Sequence, residues 1–401
     1  MIDLDVLRDC YASTQSKIVM LVVDGLGGLA HPQTGLSELE TANTPNLDAM
    51  ARESACGLTT PVLPGITPGS GPGHLALFGY DPIKYLIGRG ALEALGIDVA
   101  LQPGDVAARG NFCTLDGNGD LVDRRAGRIP TELSAPLCER LDRIKLEGAK
   151  LDVYPVQDYR FVLRLRGEGL SEAISETDPQ RTGVPPLPAV PMDPKAEKTA
   201  ALVNGFVEQA RRLLAEEERA NMVMLRGFAQ LPKLPHMGEV YRLNPAGIAS
   251  YPMYRGLAAV AGMTVIPTGH TFADEVETLS RSFHAHDFFF IHYKPADTAG
   301  EDGDFGGKVK RLEELDPFIP QIRKLNPDVF LVAGDHATPA ILGGHSWHPV
   351  PFMLHSRLTG WEGVAGFNER ECRQGSIGRI PATQVMLLAL SHAGKLAKFG
   401  P

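Results

Sequence analysis

Four short apolar runs constrain the fold of this 401-residue chain more than any other feature. They are KIVMLVVD (17–24), HDFFFIHYK (286–294), PDVFLVAGDH (327–336) and VPFMLHS (350–356). Uninterrupted apolar runs of this length are typical of strands that are buried on both faces of a parallel sheet. Stretches with helical spacing lie between them, for example residues 308–325. The alternation predicts an α/β protein with a layered, mostly parallel sheet.

The middle of the chain has a different pattern, in which turns and alternating strands replace the buried runs. The segment YRFVLRLRG (159–167) alternates apolar and basic residues, as a half-exposed strand does. A long helix is predicted to follow the insert, over residues 195–219. We therefore predict a discontinuous main domain, residues 1–103 and 191–401, and an inserted smaller domain, residues 104–190.

Charge and composition exclude several classes of function. The net charge of −9 disfavours nucleic acid and anionic membranes as partners. The five cysteines are odd in number and none forms a C-x-x-C pair, so neither a disulfide framework nor a thiolate zinc site is expected. The N-terminus lacks the pattern of a signal peptide, and no run of about 18 apolar residues suggests a membrane span. A cytoplasmic protein is the expectation, and the sequence is silent on its oligomeric state.

Candidate metal ligands follow three of the predicted strands. Asp24, Asp297 and Asp335 come at or just after strand ends, where parallel sheets bind their ligands. His336 adjoins Asp335, and His345 follows nine residues later. Any one of these residues alone is better explained as a cap, a loop acid or a surface histidine. Together, carboxylate and imidazole ligands suit Zn²⁺ or Mn²⁺.

A candidate nucleophile lies in the loop TPGSGPGHLALFGYDP (67–82). Ser70 stands between two glycines, which let backbone approach a bound anion closely. A helical run is predicted to begin after Gly73, and a helix start offers free N–H groups to a phosphate. Because a serine hydroxyl is a weak nucleophile without a base or a metal, a cation held by Asp24 is the expected activator. The competing interpretation is an ordinary Gly/Pro loop.

Other nucleotide and hydrolase motifs fit less well. The serine loop is not G-x-S-x-G, because residues 68 and 72 are prolines, and no Walker A motif is present. The segment Gly25–Ala30 does match G-x-G-x-x-A after a strand. A dinucleotide site also needs a second strand that ends in an acid about 20 residues on, and Asp48 lies in a helical stretch instead. A dinucleotide- or metal-binding module without catalysis remains the alternative from another class.

Several motifs taken together resemble one family. They are VVDGLGG, GSGPGH with GYDP after it, DYRFVLRLRG, SETDP, SYPMYRG, KPADTAGEDGDF, AGDHATP and HSWHPVP. The chain resembles the cofactor-independent phosphoglycerate mutases of archaeal type, in the alkaline phosphatase superfamily. The resemblance implies a three-layer α/β/α metalloenzyme core with an inserted α+β domain. It also implies that 3-phosphoglycerate and 2-phosphoglycerate are interconverted through a phosphoserine, without added 2,3-bisphosphoglycerate. A phosphatase and a small-alcohol kinase of the homoserine type are alternatives on the same scaffold.

The resemblance also implies which residues hold two divalent metal ions. Mn²⁺ is the expected metal, with Zn²⁺, Co²⁺ and Mg²⁺ as alternatives. The first ion is expected to be held by Asp24, Ser70, Asp335 and His336, and the second by Asp297, His345 and the residue four after Asp297. The family usually has histidine at that last position, in D-x-x-x-H, whereas this chain has Glu301. A carboxylate there adds negative charge and favours a harder ion such as Mn²⁺.

The phosphorylated small-molecule substrate needs cations of its own. The resemblance places His74 near the phosphate, and His348 is a further candidate. Arginine forks match carboxylate and phosphate geometry, and the predicted insert is expected to close over the substrate and exclude water. The basic candidates are Arg89, Arg160, Arg255 and Lys294. For each, a solvated surface charge is the competing interpretation.

Overall fold

The computed structural model describes residues 7–360 and 364–400; the first six residues of the N-terminal segment considered above lie outside this range. The described strands are, in chain order, β1 (Ile18–Val23), β2 (Ala55–Thr60), β3 (Val106–Leu115), β4 (Leu121–Asp123), β5 (Lys150–Pro155), β6 (Arg160–Arg166), β7 (Met222–Ala229), β8 (Pro245–Ile248), β9 (Thr264–Val265), β10 (Phe288–Tyr293), β11 (Val329–Ala333), β12 (Val350–Ser356) and β13 (Gly378–Pro381).

The described α-helices lie mostly between these strands. They are α1 (Glu38–Thr41), α2 (Pro45–Arg52), α3 (Ser70–Leu77), α4 (Arg89–Gly96), α5 (Thr131–Leu141), α6 (Glu197–Leu214), α7 (Met237–Tyr241), α8 (Pro252–Val260), α9 (Phe272–Ser282), α10 (Pro295–Glu301), α11 (Phe305–Leu315), α12 (Ile319–Arg323), α13 (Glu369–Cys372) and α14 (Val385–His392). Across residues 7–360 and 364–400, none of the helices combines the length and apolar character needed to cross a membrane.

An eight-stranded mixed sheet forms the core of the first unit, which comprises residues 1–86 and 234–401. Its strand order is β13-β2-β12-β11-β1-β10-β8-β9. The central strand β1 runs parallel to both of its neighbours, β10 and β11. The strand β12 runs antiparallel to β11 and β2, so one part of the predicted parallel sheet is reversed.

Both faces of the central strand are covered, which explains its uninterrupted apolar sequence. Val19, Leu21 and Val23 belong to one buried cluster with residues of α2, α9 and α11. Ile18 and Met20 alternate with them and are fully buried as well. On the sheet's neighbouring strands, α8 contacts β8 and α14 contacts β11. The α/β class with helices layered on the sheet is therefore confirmed.

The second unit comprises residues 87–233 and has its own sheet and core. Five antiparallel strands are arranged as β4-β3-β6-β5, with β7 also paired to β3. Helices α4, α5 and α6 contact this sheet. The unit extends beyond the predicted insert of residues 104–190 at both ends. The reason is that α4 packs on β3 and β7, and β7 completes the sheet from the C-terminal side.

Two predicted helices differ locally from the structure. The predicted helix at 308–325 is divided into α11, a 3₁₀ turn (Asp316–Phe318) and α12. The prolines at 317 and 320 lack the N–H that an uninterrupted helix requires, so the ladder breaks there. The helix α3 begins at Ser70 rather than after Gly73. Pro72 is tolerated because it lies in the first turn, where N–H groups have no partner within the helix.

Candidate active site and metal centre

Neighbouring strands bring the candidate ligands to one edge of the sheet. Asp24 follows β1 directly, and Asp335 follows β11 by two residues. On the other side of β1, the strand β10 leads into α10, whose first turn carries Asp297. Because these three strands are parallel neighbours, their carboxyl ends meet and the three aspartates converge as predicted.

A first cluster surrounds the Nε2 atom of His336. This nitrogen lies 3.1 Å from Asp335 Oδ2, 3.4 Å from Asp24 Oδ1 and 3.2 Å from Ser70 Oγ. Within the part of the chain described, Asp24 Oδ1 and Asp335 Oδ2 are buried and have no hydrogen-bond partner. Four donor atoms on four side chains therefore face one another in a buried site.

A second cluster lies beside the first. His345 Nε2 is 3.6 Å from Asp297 Oδ1 and 3.5 Å from Glu301 Oε1. His345 Nδ1 lies 2.9 Å from the carbonyl oxygen of Pro68 and donates to it, which leaves Nε2 facing the carboxylates. Glu301 ends α10, one turn after Asp297. The structure therefore brings Glu301 to the position that the D-x-x-x-H pattern gives to histidine.

Both clusters fit a divalent cation. Asp24, Asp335 and His336 offer ligand atoms that all lie within 4.8 Å of one another. Asp297 and His345 form a second group of this kind that also includes His336, whereas Glu301 approaches only His345, at 3.5 Å. Three fully buried carboxylates, those of Asp24, Asp297 and Asp335, share this small region. Buried charges are costly unless they are paired, and a divalent cation would offset the negative charge of this donor set.

The hydroxyl of Thr338 determines which nitrogen of His336 carries a proton. This hydroxyl donates to Asp297 Oδ1 at 2.7 Å and lies 2.9 Å from His336 Nδ1. Because the hydroxyl has a single proton, it must accept from the Nδ1–H of His336. In the neutral imidazole, the Nε2 atom then carries the lone pair and faces the first cluster.

Neighbouring charges shift the pKa values of three residues of the site. Burial opposes ionisation of Asp335, yet the imidazoles of His336 and His74, in their protonated forms, hold the pKa of its carboxyl well below the ordinary value. Burial likewise opposes ionisation of Asp24, but its cationic neighbours keep its pKa low. Burial lowers the pKa of His345, but the carboxylates of Glu301 and Asp297 outweigh it and raise that pKa to about 9.

The nucleophile candidate stands at the start of a helix. Ser70 is the first residue of α3, and its N-cap, Gly69, has no side chain to cap the helix. The free N–H groups of the first turn are therefore available to an anion. A Cβ atom on Gly73 would overlap the carbonyl of Asp335. Glycine at this position lets the helix approach the metal-binding loop closely.

The remaining predicted residues differ in which parts of the structure they contact. His74 lies behind the first cluster, with Nδ1 3.2 Å from Asp335 Oδ2 and 2.8 Å from the Ser70 carbonyl oxygen. Lys294 contacts Asp297 and lies 3.2 Å from Asp24 Oδ2, with 28% of its side chain exposed. Arg255 is half-buried in α8, next to Tyr254.

His348 lies beside a cavity. It lines a cavity of about 600 Å³ whose lining contains none of the candidate ligands, and its Nδ1 lies 3.1 Å from Ser346 Oγ. Arg89 and Arg160 belong to the second unit. Arg89 begins α4, and the guanidinium of Arg160 stacks over the ring of Tyr159 at 5.0 Å.

Three residues that the sequence did not single out support the ligands. They are Tyr254 and His292, which contact Asp24, and Thr338. A signal for His292 was present, because a histidine inside the apolar run FFFIHY is an unexpected polar residue in a central strand. Tyr254 and Thr338 carry no such signal, since their roles depend on contacts between distant segments.

The dinucleotide alternative finds no support in the local geometry. After the glycines at 25–28, the next helix, α1, starts only at Glu38, so no helix N-terminus follows the loop directly. Gly25 instead adopts a φ of +66°, and a Cβ there would lie 2.7 Å from Thr338 Oγ1 and 2.8 Å from Asp297 Oδ1. The glycine allows the loop after β1 to pack closely against Thr338 and Asp297.

A carboxylate–imidazole cluster beside a buried serine hydroxyl, with a second such cluster next to it on an α/β sheet, is typical of the metal-dependent phosphoryl-transfer enzymes. A family model described as 2,3-bisphosphoglycerate-independent phosphoglycerate mutase matches residues 51–220. A relative from Thermus thermophilus, named as a probable 2,3-bisphosphoglycerate-independent phosphoglycerate mutase, is 50% identical over 98% of both chains. One of the same name from Thermotoga maritima is 50% identical over 96% of both chains. The chain belongs to the family of 2,3-bisphosphoglycerate-independent phosphoglycerate mutases.

Solved structures agree with this assignment. The PH0037 protein from Pyrococcus horikoshii aligns with a TM-score of 0.83 and 26% identity, covering 97% of this chain and all (100%) of that one. The cofactor-independent phosphoglycerate mutase from Thermoplasma acidophilum aligns with a TM-score of 0.68 and 29% identity, covering 94% of this chain and 100% of that one. The predicted family and enzyme class, an isomerase, are confirmed.

Proposed function

We propose that this chain interconverts 3-phosphoglycerate and 2-phosphoglycerate, with Ser70 carrying the phosphoryl group between the two hydroxyls. The observation that carries the proposal is the convergence of Ser70 Oγ, Asp24 Oδ1 and Asp335 Oδ2 on one imidazole nitrogen, that of His336. The names of the relatives supply the substrate class. The contact of Ser70 Oγ with His336 Nε2 supports Ser70 as the nucleophile.

Two divalent cations are proposed to occupy the clusters. Asp24, Ser70, Asp335 and His336 would hold one, and Asp297, Glu301 and His345 the other. When bound, such cations lower the pKa of a serine hydroxyl and offset charge on phosphoryl oxygens. Five of these seven donors are oxygen atoms, so Mn²⁺ fits the set better than a softer ion.

The covalent steps balance without water. Ser70 Oγ forms a bond to the substrate phosphorus while the bond from phosphorus to the 3-hydroxyl oxygen breaks. The serine proton ends on the departing hydroxyl. The 2-hydroxyl of the same glycerate then forms a bond to phosphorus, the bond to Ser70 Oγ breaks, and a proton returns to Ser70. The products are 2-phosphoglycerate and the free serine.

Side chains of the chain itself must stabilise the charge and orient the glycerate. Lys294 is partly exposed beside Asp24 and Asp297, so its ammonium is a suitable partner for a phosphoryl oxygen. We propose Arg89, Arg160 and Arg255 as partners of the substrate carboxylate and phosphate, because guanidinium forks match both groups. His74 contacts Asp335 and the carbonyl oxygen of Ser70, which supports the predicted position near the phosphate that Ser70 would carry.

A coupled assay tests the proposal. Conversion of 3-phosphoglycerate is followed through enolase, after the protein is stripped with EDTA and reloaded with Mn²⁺. The proposal requires turnover without 2,3-bisphosphoglycerate and its loss in Ser70→Ala. Release of inorganic phosphate in place of 2-phosphoglycerate would identify a phosphatase. Activity that appears only with ATP and a small alcohol would identify a kinase.

A further inference from the structure

The two carboxylate oxygens of Asp24 have different surroundings. Asp24 Oδ2 accepts a hydrogen bond from the hydroxyl of Tyr254 and lies 3.2 Å from His292 Nε2. Asp24 Oδ1 has no hydrogen-bond partner among the described residues. It is instead the oxygen that faces His336 Nε2, at 3.4 Å. One oxygen is anchored, and the other is presented to the first cluster.

The two side chains that contact Asp24 Oδ2 are buried and packed against each other. The rings of Tyr254 and His292 stack with their centroids 3.5 Å apart and an angle of 23° between their planes. Tyr254 is fully buried and His292 is 2% exposed. The two side chains come from different elements, Tyr254 from α8 and His292 from β10. Neither ring can rotate away from the carboxylate without disturbing the other.

Hydrogen-bonding capacity fixes the direction of both contacts. An ionised carboxylate can only accept, so Tyr254 donates its single hydroxyl proton and His292 donates the proton on Nε2. Oδ2 therefore receives two neutral donors in addition to the Lys294 ammonium, which lies 3.2 Å away. Lys294 also contacts Asp297 and serves both clusters. Tyr254 and His292 distinguish Asp24 from the other acids.

We infer that Tyr254 and His292 are positioning residues for Asp24: they hold its Oδ2 atom so that Oδ1 is the oxygen offered to a divalent cation. Groups that orient metal ligands from behind contribute about 10- to 100-fold to metal affinity. The inference rests on the proposed function only in that the first cluster binds a cation. It does not depend on the substrate.

The two clusters provide an internal comparison. The second cluster is held by other groups, since Asp297 Oδ1 accepts from Thr338 and His345 Nδ1 donates to the Pro68 carbonyl. Loss of the Tyr254 hydroxyl should therefore weaken binding at the first cluster and leave the second unchanged. A merely structural role would weaken both.

The experiment measures Mn²⁺ binding to EDTA-stripped protein by calorimetry and by counting free Mn²⁺ in electron paramagnetic resonance spectra. Tyr254→Phe is introduced into two backgrounds. His345→Ala disables the second cluster and isolates the first, and Asp335→Asn does the reverse. We expect Tyr254→Phe to weaken binding about 10- to 100-fold in the His345→Ala background and to leave it unchanged in the Asp335→Asn background.

Controls separate the hydroxyl from the ring. Tyr251 is the N-cap of α8, and its ring lies 5.7 Å from that of Tyr254. Tyr251→Phe should therefore leave the Mn²⁺ affinity of both clusters unchanged. His292→Phe keeps a ring and removes the donor, so it should act like Tyr254→Phe. His292→Gln keeps an N–H donor and should recover at least part of the affinity.

Two outcomes would contradict the positioning role of Tyr254. The inference would be overturned if His345→Ala and the double variant Tyr254→Phe/His345→Ala bound Mn²⁺ with equal affinity. It would also be overturned if Tyr254→Phe weakened Mn²⁺ binding equally in both backgrounds. Intact binding in the Asp335→Asn background shows that the variant is folded. A failure of the mutase proposal looks different, because Mn²⁺ binding would then respond to Tyr254→Phe while 3-phosphoglycerate is not converted.

Discussion

Replacing Thr338 by valine tests how the two clusters are joined. The Thr338 hydroxyl donates to Asp297 Oδ1 at 2.7 Å and lies 2.9 Å from His336 Nδ1, and all three side chains are fully buried. Valine has nearly the same shape but no hydroxyl. The substitution therefore removes one hydrogen bond from a ligand of each cluster without opening a cavity.

The expected loss follows from these two contacts. A hydrogen bond to a charged group contributes about 1.5–3 kcal/mol, and a buried N–H left without a partner costs about 1–3 kcal/mol. His336 also loses the acceptor that selects its tautomer, so Nε2 carries the lone pair in only part of the population. Loss of such support typically weakens metal binding by about 10- to 100-fold. Because Thr338 contacts both clusters, both affinities should fall.

Calorimetric titration of EDTA-stripped Thr338→Val with Mn²⁺ measures the effect, with Thr338→Ser as the matched control. Serine retains the hydroxyl and loses one methyl group, so it should bind both ions nearly as the wild type does. Two results would refute the argument: wild-type affinity in Thr338→Val, or the same loss in Thr338→Ser as in Thr338→Val.

Three further predictions concern packing and pH. Gly73→Ala should reduce kcat/KM by about 100-fold in the enolase-coupled assay, because the added Cβ overlaps the Asp335 carbonyl and a shift of about 1 Å has that cost; near-normal turnover would contradict it. Burial raises the pKa of Glu275 to about 8, so the folded protein keeps a proton that the unfolded chain releases above its ordinary pKa, and stability falls as pH rises toward 8. The melting temperature of Glu275→Gln minus that of wild type should therefore increase as the pH is raised from 5 to 8. Parallel plots of melting temperature against pH for the two proteins would contradict this. Lys308→Met should lower the free energy of unfolding by about 2–5 kcal/mol, because the buried ammonium donates to two backbone carbonyls that would lose their partner; an unchanged denaturation midpoint would contradict it.

The central strands and the convergence of the candidate ligands were predictable because their sequence patterns are local. The runs at β1, β10 and β11 are apolar throughout since both faces of the sheet are covered, and the acids follow because strand ends face the ligand. The long helix expected at 195–219 is found as α6, Glu197–Leu214. In each case a single stretch of chain contains the whole pattern.

Features that depend on contacts between distant segments were not predictable in this way. The reversal of β12 depends on its pairing with β11 and β2. The second unit gains α4 and β7 through packing on β3. Tyr254 and Thr338 become supporting residues only because α8 and the loop after β11 approach Asp24 and Asp297.

Trapping the covalent intermediate tests the central claim most directly. Mn²⁺-loaded protein is mixed with 3-phosphoglycerate, quenched in acid within milliseconds, digested and examined by mass spectrometry. The account predicts a phosphate on the peptide that contains Ser70, formed and lost at rates that match turnover, and absent from Ser70→Ala. Turnover with no phosphate on that peptide, or with phosphate on another residue, would contradict it.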